Sequence, residues 1–216
     1  MTSRVWVGES VAVLATGPSL TIEDVHLVYT AGFILVGVNS IWKMVPHVDI
    51  LYAGDHRYWK AYIDDIEAAG IVAKRYSRSS RAEKEYDAKY VKTKLGKDYN
   101  SGELAVEFAI QRGSERVVML GFDASVQQGL HCHGAHDKTP NPNPDRARRW
   151  LKQFDRIPKH YPNADVVNCS RRTRIKSIKR ALLEDYLEGL PESPLRSARA
   201  AQRLGKGSPE GRTKTR

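Results

Sequence analysis

The chain has 216 residues and a formal net charge of +10, with 41% hydrophobic and 28% charged residues. This composition is typical of a soluble globular domain, and it contains no run of eighteen apolar residues that would indicate a membrane span. The first ten residues lack the apolar stretch of a signal peptide, and two cysteines are too few for a disulfide framework. We therefore expect a cytoplasmic protein.

Short apolar runs and amphipathic segments alternate along the chain, which predicts strands separated by helices. The runs lack a clean alternation of apolar and polar residues, as is typical of a parallel sheet covered on both faces. We therefore predict an α/β fold, with a Rossmann-like, mostly parallel sheet and helices on both faces. The predicted strands cover residues 10–16, 33–40, 48–55, 71–77, 116–123 and 165–170.

Several helix boundaries carry capping signals. Thr21 and Asp24 fit a capping box, and Gly70 fits the stop of the helix that follows the third strand. Ser101 is placed to N-cap a helix over 101–113.

The remaining segments are less regular. Residues 78–100 are polar, and we expect an irregular stretch with a short helix or strand near Tyr90. A long loop rich in His, Asn, Gly and Pro leads to a helix from about Asp145 to His160. The last predicted helix ends near Leu187.

The C-terminal segment differs from the rest in charge. From Pro191 onward it contains seven basic and two acidic residues, and its last twelve residues offer almost nothing to bury. We predict one nucleotide-binding domain over 1–188 and a flexible, disordered basic tail over 189–216. Such a tail is either simply solvated or contacts nucleic acid or another polyanion through charge.

Small or polar residues follow five of the predicted strands. Ligands of parallel α/β sheets bind beyond the carboxyl ends of the strands, so these residues predict a ligand crevice. At the first of them, Gly17 permits a sharp turn and Pro18 suits a first helical position. We expect the turn to present free backbone amides to a phosphate. The strand ends are Thr16-Gly17-Pro18-Ser19, Asn39-Ser40, Gly54-Asp55-His56, Gly121-Phe122-Asp123 and Asn168.

The stretches "VAVLATGPSL", "VGVNS" and "NSGELAVEFAIQRGSERVVMLGFD", followed by a loop with histidines, occur in that order. Over residues 8–170 they resemble a family with a Rossmann-like core. It includes bacterial sialyltransferases that use CMP-activated sugars and archaeal 6-hydroxymethylpterin pyrophosphokinases. The chain is also similar to small proteins of this type from bacteriophages, which implies the cytoplasm of an infected bacterium.

The resemblance implies roles for particular residues around a nucleotide-activated donor. Gly17, Pro18 and Ser19 would lie by its phosphates, and Asn39 would contact the nucleotide or a phosphate. Ser101 and Gly102 would lie near the ribose or base, and Gly121 and Asp123 would line the same crevice. Thr16 stands where the sialyltransferases of this family have an Asn.

Three of the seven histidines fall within "GLHCHGAHD", residues 129–137. One interpretation makes one of them, His131, His133 or His136, the general base that deprotonates an acceptor hydroxyl. The resemblance implies a catalytic histidine here, with His133 or His136 preferred. The other makes the cluster a transition-metal site with Cys132 or Asp137 as extra ligands.

Three functions remain open. The first is a glycosyltransferase-like enzyme that uses a nucleotide sugar. The second is a pyrophosphokinase-like enzyme whose Mg²⁺ is held by Asp55 and Asp123, although Asp55 is equally suited to cap the helix after it. The third is a non-catalytic phage protein that binds a nucleotide or nucleic acid and uses the basic tail for contact. A basic helix face around Arg146 and the stretch "SRRTRIKSIKR" over 170–180 are further candidates for binding acceptor phosphates or a nucleic-acid backbone, unless they are simply solvated.

Overall fold

The computed structural model describes residues 4–205. In that range, eight strands form one sheet in which all neighbouring strands are parallel. The strands are β1 (Ser10–Leu14), β2 (Ile34–Val38), β3 (Ile50–Tyr52), β4 (Lys74–Ser77), β5 (Lys89–Tyr90), β6 (Arg116–Leu120), β7 (Asp165–Asn168) and β8 (Lys179–Arg180). Their order in space is β5-β4-β3-β2-β1-β6-β7-β8, which confirms the predicted α/β class.

Helices connect the strands, and most begin at a side chain that caps the first turn. Within the described range, none is long and apolar enough to cross a membrane. The helices are α1 (Ile22–Thr30), α2 (His56–Ala68), α3 (Ser80–Tyr86), α4 (Ser101–Gln111), α5 (Pro144–Phe154), α6 (Arg156–His160), α7 (Leu183–Glu188) and α8 (Pro194–Leu204). The capping side chains are Thr21, Asp55, Ser79, Asn100, Asn143 and Ser193.

Two helix predictions need correction. Thr21 accepts a hydrogen bond from the Asp24 amide, but the Asp24 carboxylate binds Arg171, so only half of the capping box forms. The helix predicted from Asp145 to His160 is two helices that meet at Asp155. Pro158 explains the break, because it has no N–H to donate and its ring clashes with the carbonyl four residues earlier.

The sheet is covered on both faces. Val11 and Val13 of β1 pack into a core with α4 and α5, whereas Ala12 and Leu14 pack into a core with α1 and α2 on the other face. Adjacent residues of a strand point to opposite faces, so a strand buried on both sides needs an unbroken apolar run. The apolar run "VAVL" of β1, which follows the buried Ser10, meets this requirement.

Part of the segment predicted as a flexible tail is folded. Residues 194–204 form α8, which contacts α1 and in which Arg203 is buried. Arg203 donates to the backbone oxygens of Tyr29 and Phe33, both at 2.8 Å. Polar contacts of this kind anchor a helix that has little apolar surface, so the folded part extends beyond the predicted limit at 188. The rest of the predicted tail, 206–216, lies outside the described residues.

Candidate functional site

The strand order creates a crevice. From β1 the chain moves outward through β2, β3, β4 and β5, and then returns to place β6 on the other side of β1. The connections that leave β1 and β6 therefore diverge, and a cleft opens at their carboxyl ends, as in other doubly wound sheets. Its volume is about 560 Å³.

Most of the predicted site residues line this cleft. They come from the ends of four strands, the start of α4 and the histidine loop: Gly17, Asn39, Asp55, Ser101, Gly102, Gly121, Asp123, His131 and His136. Pro18, Ser19 and His133 are not among its lining residues. Residues separated by more than a hundred positions thus meet where the sheet topology predicts.

The turn after β1 does not present free amides. The Gly17 amide donates to the Gly121 oxygen at 2.8 Å, and the Ser19 amide donates to the Asp123 carboxylate at 3.0 Å. A Cβ at Gly17 would lie 2.3 Å from both the Gly121 oxygen and an Asp123 carboxylate oxygen. The expectation that these amides hold a phosphate is therefore corrected, because the protein's own groups already occupy them. Gly17 is needed for close packing within the chain.

Asp123 clamps this turn. Its second carboxylate oxygen accepts from the Ser19 hydroxyl at 2.5 Å, so both oxygens are bonded to Ser19. The side chain is buried, and burial raises the pKa of Asp123, while the hydrogen bonds from Ser19 oppose that rise. Asp55, the other candidate carboxylate, accepts from the Tyr58 amide at 3.0 Å and caps α2. Both carboxylates therefore have structural roles at the edge of the cleft.

The start of α4 supplies open amides instead. Asn100 is the N-cap and accepts from the Glu103 amide at 2.8 Å. Ser101, predicted as the cap, instead accepts from the Gly54 amide at 3.0 Å. The amides of Ser101 and Gly102 are first-turn groups with no acceptor inside the helix, and both residues line the cleft. This end of α4 carries the positive end of the helix dipole.

Asn39 and a group of aromatic residues line other parts of the cleft. The Oδ1 atom of Asn39 is buried and has no hydrogen-bond partner among the described residues, and Asn39 has a left-handed φ of 50°. Phe122, Trp150 and Phe154 form an aromatic wall, and Arg146 lies beside it. The sequence predicts no role in the site for Trp150, because its helical spacing from Phe154 is also that of a buried helix face.

The histidine loop closes another side of the cleft. Its backbone is tied to the end of β1, since the Cys132 amide donates to the Thr16 oxygen at 2.9 Å. The Thr16 hydroxyl and His131 Nδ1 are 2.8 Å apart. The Asp137 carboxylate contacts Lys43 at 3.2 Å and the Tyr62 hydroxyl at 3.0 Å. The loop is therefore anchored at both ends of the histidine sequence.

The three imidazole rings converge. Ring centroids lie 5.2 Å apart for His131 and His133, 4.1 Å for His131 and His136, and 5.3 Å for His133 and His136. Burial, and then the neighbouring imidazoles, lower the pKa of His131 to about 3. Burial likewise lowers the pKa of His136 to about 4 and lowers the pKa of His133. Burial therefore favours the neutral form of all three rings.

Comparison with known proteins adds information about the fold. No family model matches the chain, and no curated protein matches it. The fold is similar to that of a solved glycosyltransferase. A MAf glycosyltransferase from Magnetospirillum magneticum AMB-1 aligns with a TM-score of 0.63 and 14% identity, over 95% of this chain and 38% of that one. The chain thus spans about two fifths of that protein, and the resemblance to sialyltransferases, pyrophosphokinases and phage proteins stays a prediction.

Proposed function

We propose that this chain is a glycosyltransferase-like enzyme that transfers a sugar from a nucleotide-activated donor to an acceptor hydroxyl. The observation that carries the proposal is the cleft at the junction of β1 and β6, which is lined together by the first residues of α4, by Asn39 and by three aromatic residues, Phe122, Trp150 and Phe154. The likeness of the fold to a glycosyltransferase supports the same class.

The donor's parts match the chemistry of the walls. The phosphates suit the amides of Ser101 and Gly102 and the guanidinium of Arg146, because helix starts and arginine both favour anions. The Asn39 oxygen suits an amine or hydroxyl donor of the base or ribose. Trp150 and Phe122 offer apolar surface to the base. Gly17 and Gly121, whose backbones are hydrogen-bonded to each other, line the remaining side of the cleft.

The transfer itself has a simple balance. The acceptor oxygen forms a bond to the anomeric carbon, while the bond from that carbon to the donor phosphate breaks and the nucleotide leaves with the electron pair. The acceptor hydroxyl gives up its proton during this step. We place the acceptor beside His131 and His136, which line the cleft. A free imidazole as general base, or a cation held by the cluster that acidifies the hydroxyl, would each assist.

The two rival functions have less support. A Mg²⁺ site for diphosphate transfer would draw on Asp55 and Asp123, but both oxygens of Asp123 are bonded to Ser19. Nucleic-acid binding by the C-terminal segment would draw on its arginines. Arg199 and Arg203 are instead bonded to Glu9 and Asp49 and to backbone oxygens within the fold.

A panel of nucleotides tests the proposal by thermal shift. We expect CMP or UDP to stabilise the protein without added metal. At a hundredfold excess over Kd the gain is about 2.7 kcal/mol, which corresponds to roughly 5–10 °C in Tm for a chain of this size. Release of nucleotide from the corresponding nucleotide sugar then tests transfer to water or an acceptor. Stabilisation by ATP with Mg²⁺ alone favours the kinase, and stabilisation by polyanions alone favours a binding protein.

A matched pair of variants on α5 locates the donor. Arg146→Ala removes a charged group that lines the cleft, and we expect it to weaken nucleotide binding about tenfold, the size of one charge-assisted hydrogen bond. Arg149→Ala removes an equally exposed arginine that does not line the cleft, and its affinity should match wild type. Equal losses in the two variants, measured by calorimetric titration, would contradict this placement.

A further inference from the structure

The histidine loop gathers three possible metal ligands in one place. One nitrogen from each of His131, His133 and His136 lies within 4.8 Å of the other two. Four of their ring nitrogens are buried without a hydrogen-bond partner among the described residues: His131 Nε2, both nitrogens of His133, and His136 Nδ1. A buried nitrogen without a partner costs free energy, so such groups usually serve a ligand.

We propose that His131, His133 and His136 together bind a divalent transition-metal ion at the wall of the cleft. Zinc bound to imidazoles has Zn–N distances of about 2.0–2.1 Å, so a tetrahedral set needs nitrogens about 3.3 Å apart. The three nitrogens lie within 4.8 Å of one another, so binding of a metal requires the rings to move closer together. Three protein ligands leave a position open for a further group, as in catalytic zinc sites.

The contacts of His131 match those of a metal ligand. With its proton on Nδ1, the ring donates to the Thr16 hydroxyl at 2.8 Å and leaves the Nε2 lone pair free. Metal-binding histidines commonly donate their second nitrogen in this way, which fixes both the tautomer and the orientation of the ring. The unpartnered Nε2 is the nitrogen that this arrangement predicts.

A free general base would have different partners. Such an imidazole normally has a carboxylate on its second nitrogen, which stabilises the ring once it is protonated. In the part of the chain that the structure describes, no carboxylate bonds to any of the three rings, and the nearby Asp137 is bonded to Lys43 and Tyr62. Three convergent rings with unpartnered nitrogens and no carboxylate partner therefore favour a metal over a proton.

The chemistry of the three ligand nitrogens indicates which metals fit the site. The geometry also leaves Asp137 and Cys132, the two extra ligands suggested by the sequence, outside the cluster. Imidazole nitrogens suit zinc, copper, nickel or iron rather than magnesium or calcium. Asp137 is held outside the convergent set by Lys43. Cys132 is also outside the set, and its side chain packs against the apolar core. All ligands from the chain are thus histidines.

The proposal that the cluster binds a metal does not depend on the proposed sugar transfer. Only a role of the metal in activating the acceptor rests on that function. Experiments can therefore contradict either proposal without contradicting the other. If the protein binds zinc but no nucleotide, the proposed sugar transfer is contradicted and the metal site is not. If chelator-treated protein binds nucleotide but the protein binds no zinc, the metal site is contradicted and the sugar transfer is not.

The first test titrates the full chain, freed of metal by a chelator and carrying no histidine tag, with Zn²⁺ and with Co²⁺. We expect one Zn²⁺ per chain, no competition by Mg²⁺, and visible ligand-field absorption from bound Co²⁺. Failure of the folded wild-type protein to bind one equivalent of Zn²⁺ would overturn the proposal.

Variants then assign the ligands. His133→Ala and His136→Ala should each weaken Zn²⁺ binding by more than about 100-fold, and Thr16→Val, an outer-shell change, by about 10–100-fold. His26→Ala, at an exposed position on α1, should leave binding unchanged. Wild-type affinity in both loop variants would refute the assignment. If an alanine variant fails to fold by circular dichroism, the Co²⁺ spectrum of the wild type and the Thr16→Val titration still decide.

Discussion

Asp123→Ala is expected to lower the free energy of unfolding by about 3 kcal/mol and to abolish nucleotide binding. The substitution leaves two buried donors of Ser19, its amide and its hydroxyl, without the acceptor that each now has. Each unsatisfied buried group costs about 1–3 kcal/mol. Without this clamp the turn after β1 is free to move, and Gly17 with it, so the floor of the cleft is no longer fixed.

Urea denaturation measures this effect, with Asp123→Asn and Asp55→Ala as comparisons. The asparagine retains one acceptor oxygen, so it should recover about half of the lost stability. Asp55→Ala removes only the cap of α2, at a cost of about 1 kcal/mol. If Asp123→Ala instead removed activity while leaving the urea midpoint unchanged, Asp123 would contact the substrate and the clamp would be the wrong interpretation.

The central part of the fold could be predicted from sequence because its signals are local. An unbroken apolar run such as "VAVL" at 11–14 in β1 is typical of a strand buried on both faces. The end of α2 could also be predicted from the sequence. Gly70 follows the helix and adopts the left-handed φ of 67° that is common at this position. In contrast, β8 has only two residues, too few to show any periodicity.

The site illustrates the opposite case. Sequence reasoning identified the strand ends and the histidines, because topology alone brings these together. It could not foresee that Asp123, 104 positions away, would occupy the amide of Ser19. It also placed the cap of α4 at Ser101, which is wrong by one residue. Asn100 caps the helix, because Ser101 accepts a hydrogen bond from the Gly54 amide instead. Contacts between distant residues decided each of these points.

The same limit explains the C-terminal segment. Composition predicts disorder for a stretch with few apolar residues, yet α8 is held by arginines that reach groups far away in sequence. Arg199 makes two contacts with the Glu9 carboxylate, at 2.6 and 2.8 Å. Arginines that bond within the fold and arginines that face solvent give the same composition, so only the structure separates them.

Arg203→Met is therefore expected to lower the free energy of unfolding by about 3 kcal/mol. Methionine keeps most of the buried volume but leaves the oxygens of Tyr29 and Phe33 and the Asp49 carboxylate without the guanidinium. The matched control is Arg148→Met, since Arg148 is exposed and its ion pair with Asp145 is worth at most about 1 kcal/mol. Urea midpoints measure both. Similar midpoints for the two variants would mean that α8 adds little to the stability of the domain and that the shorter boundary at 188 describes the folded unit better.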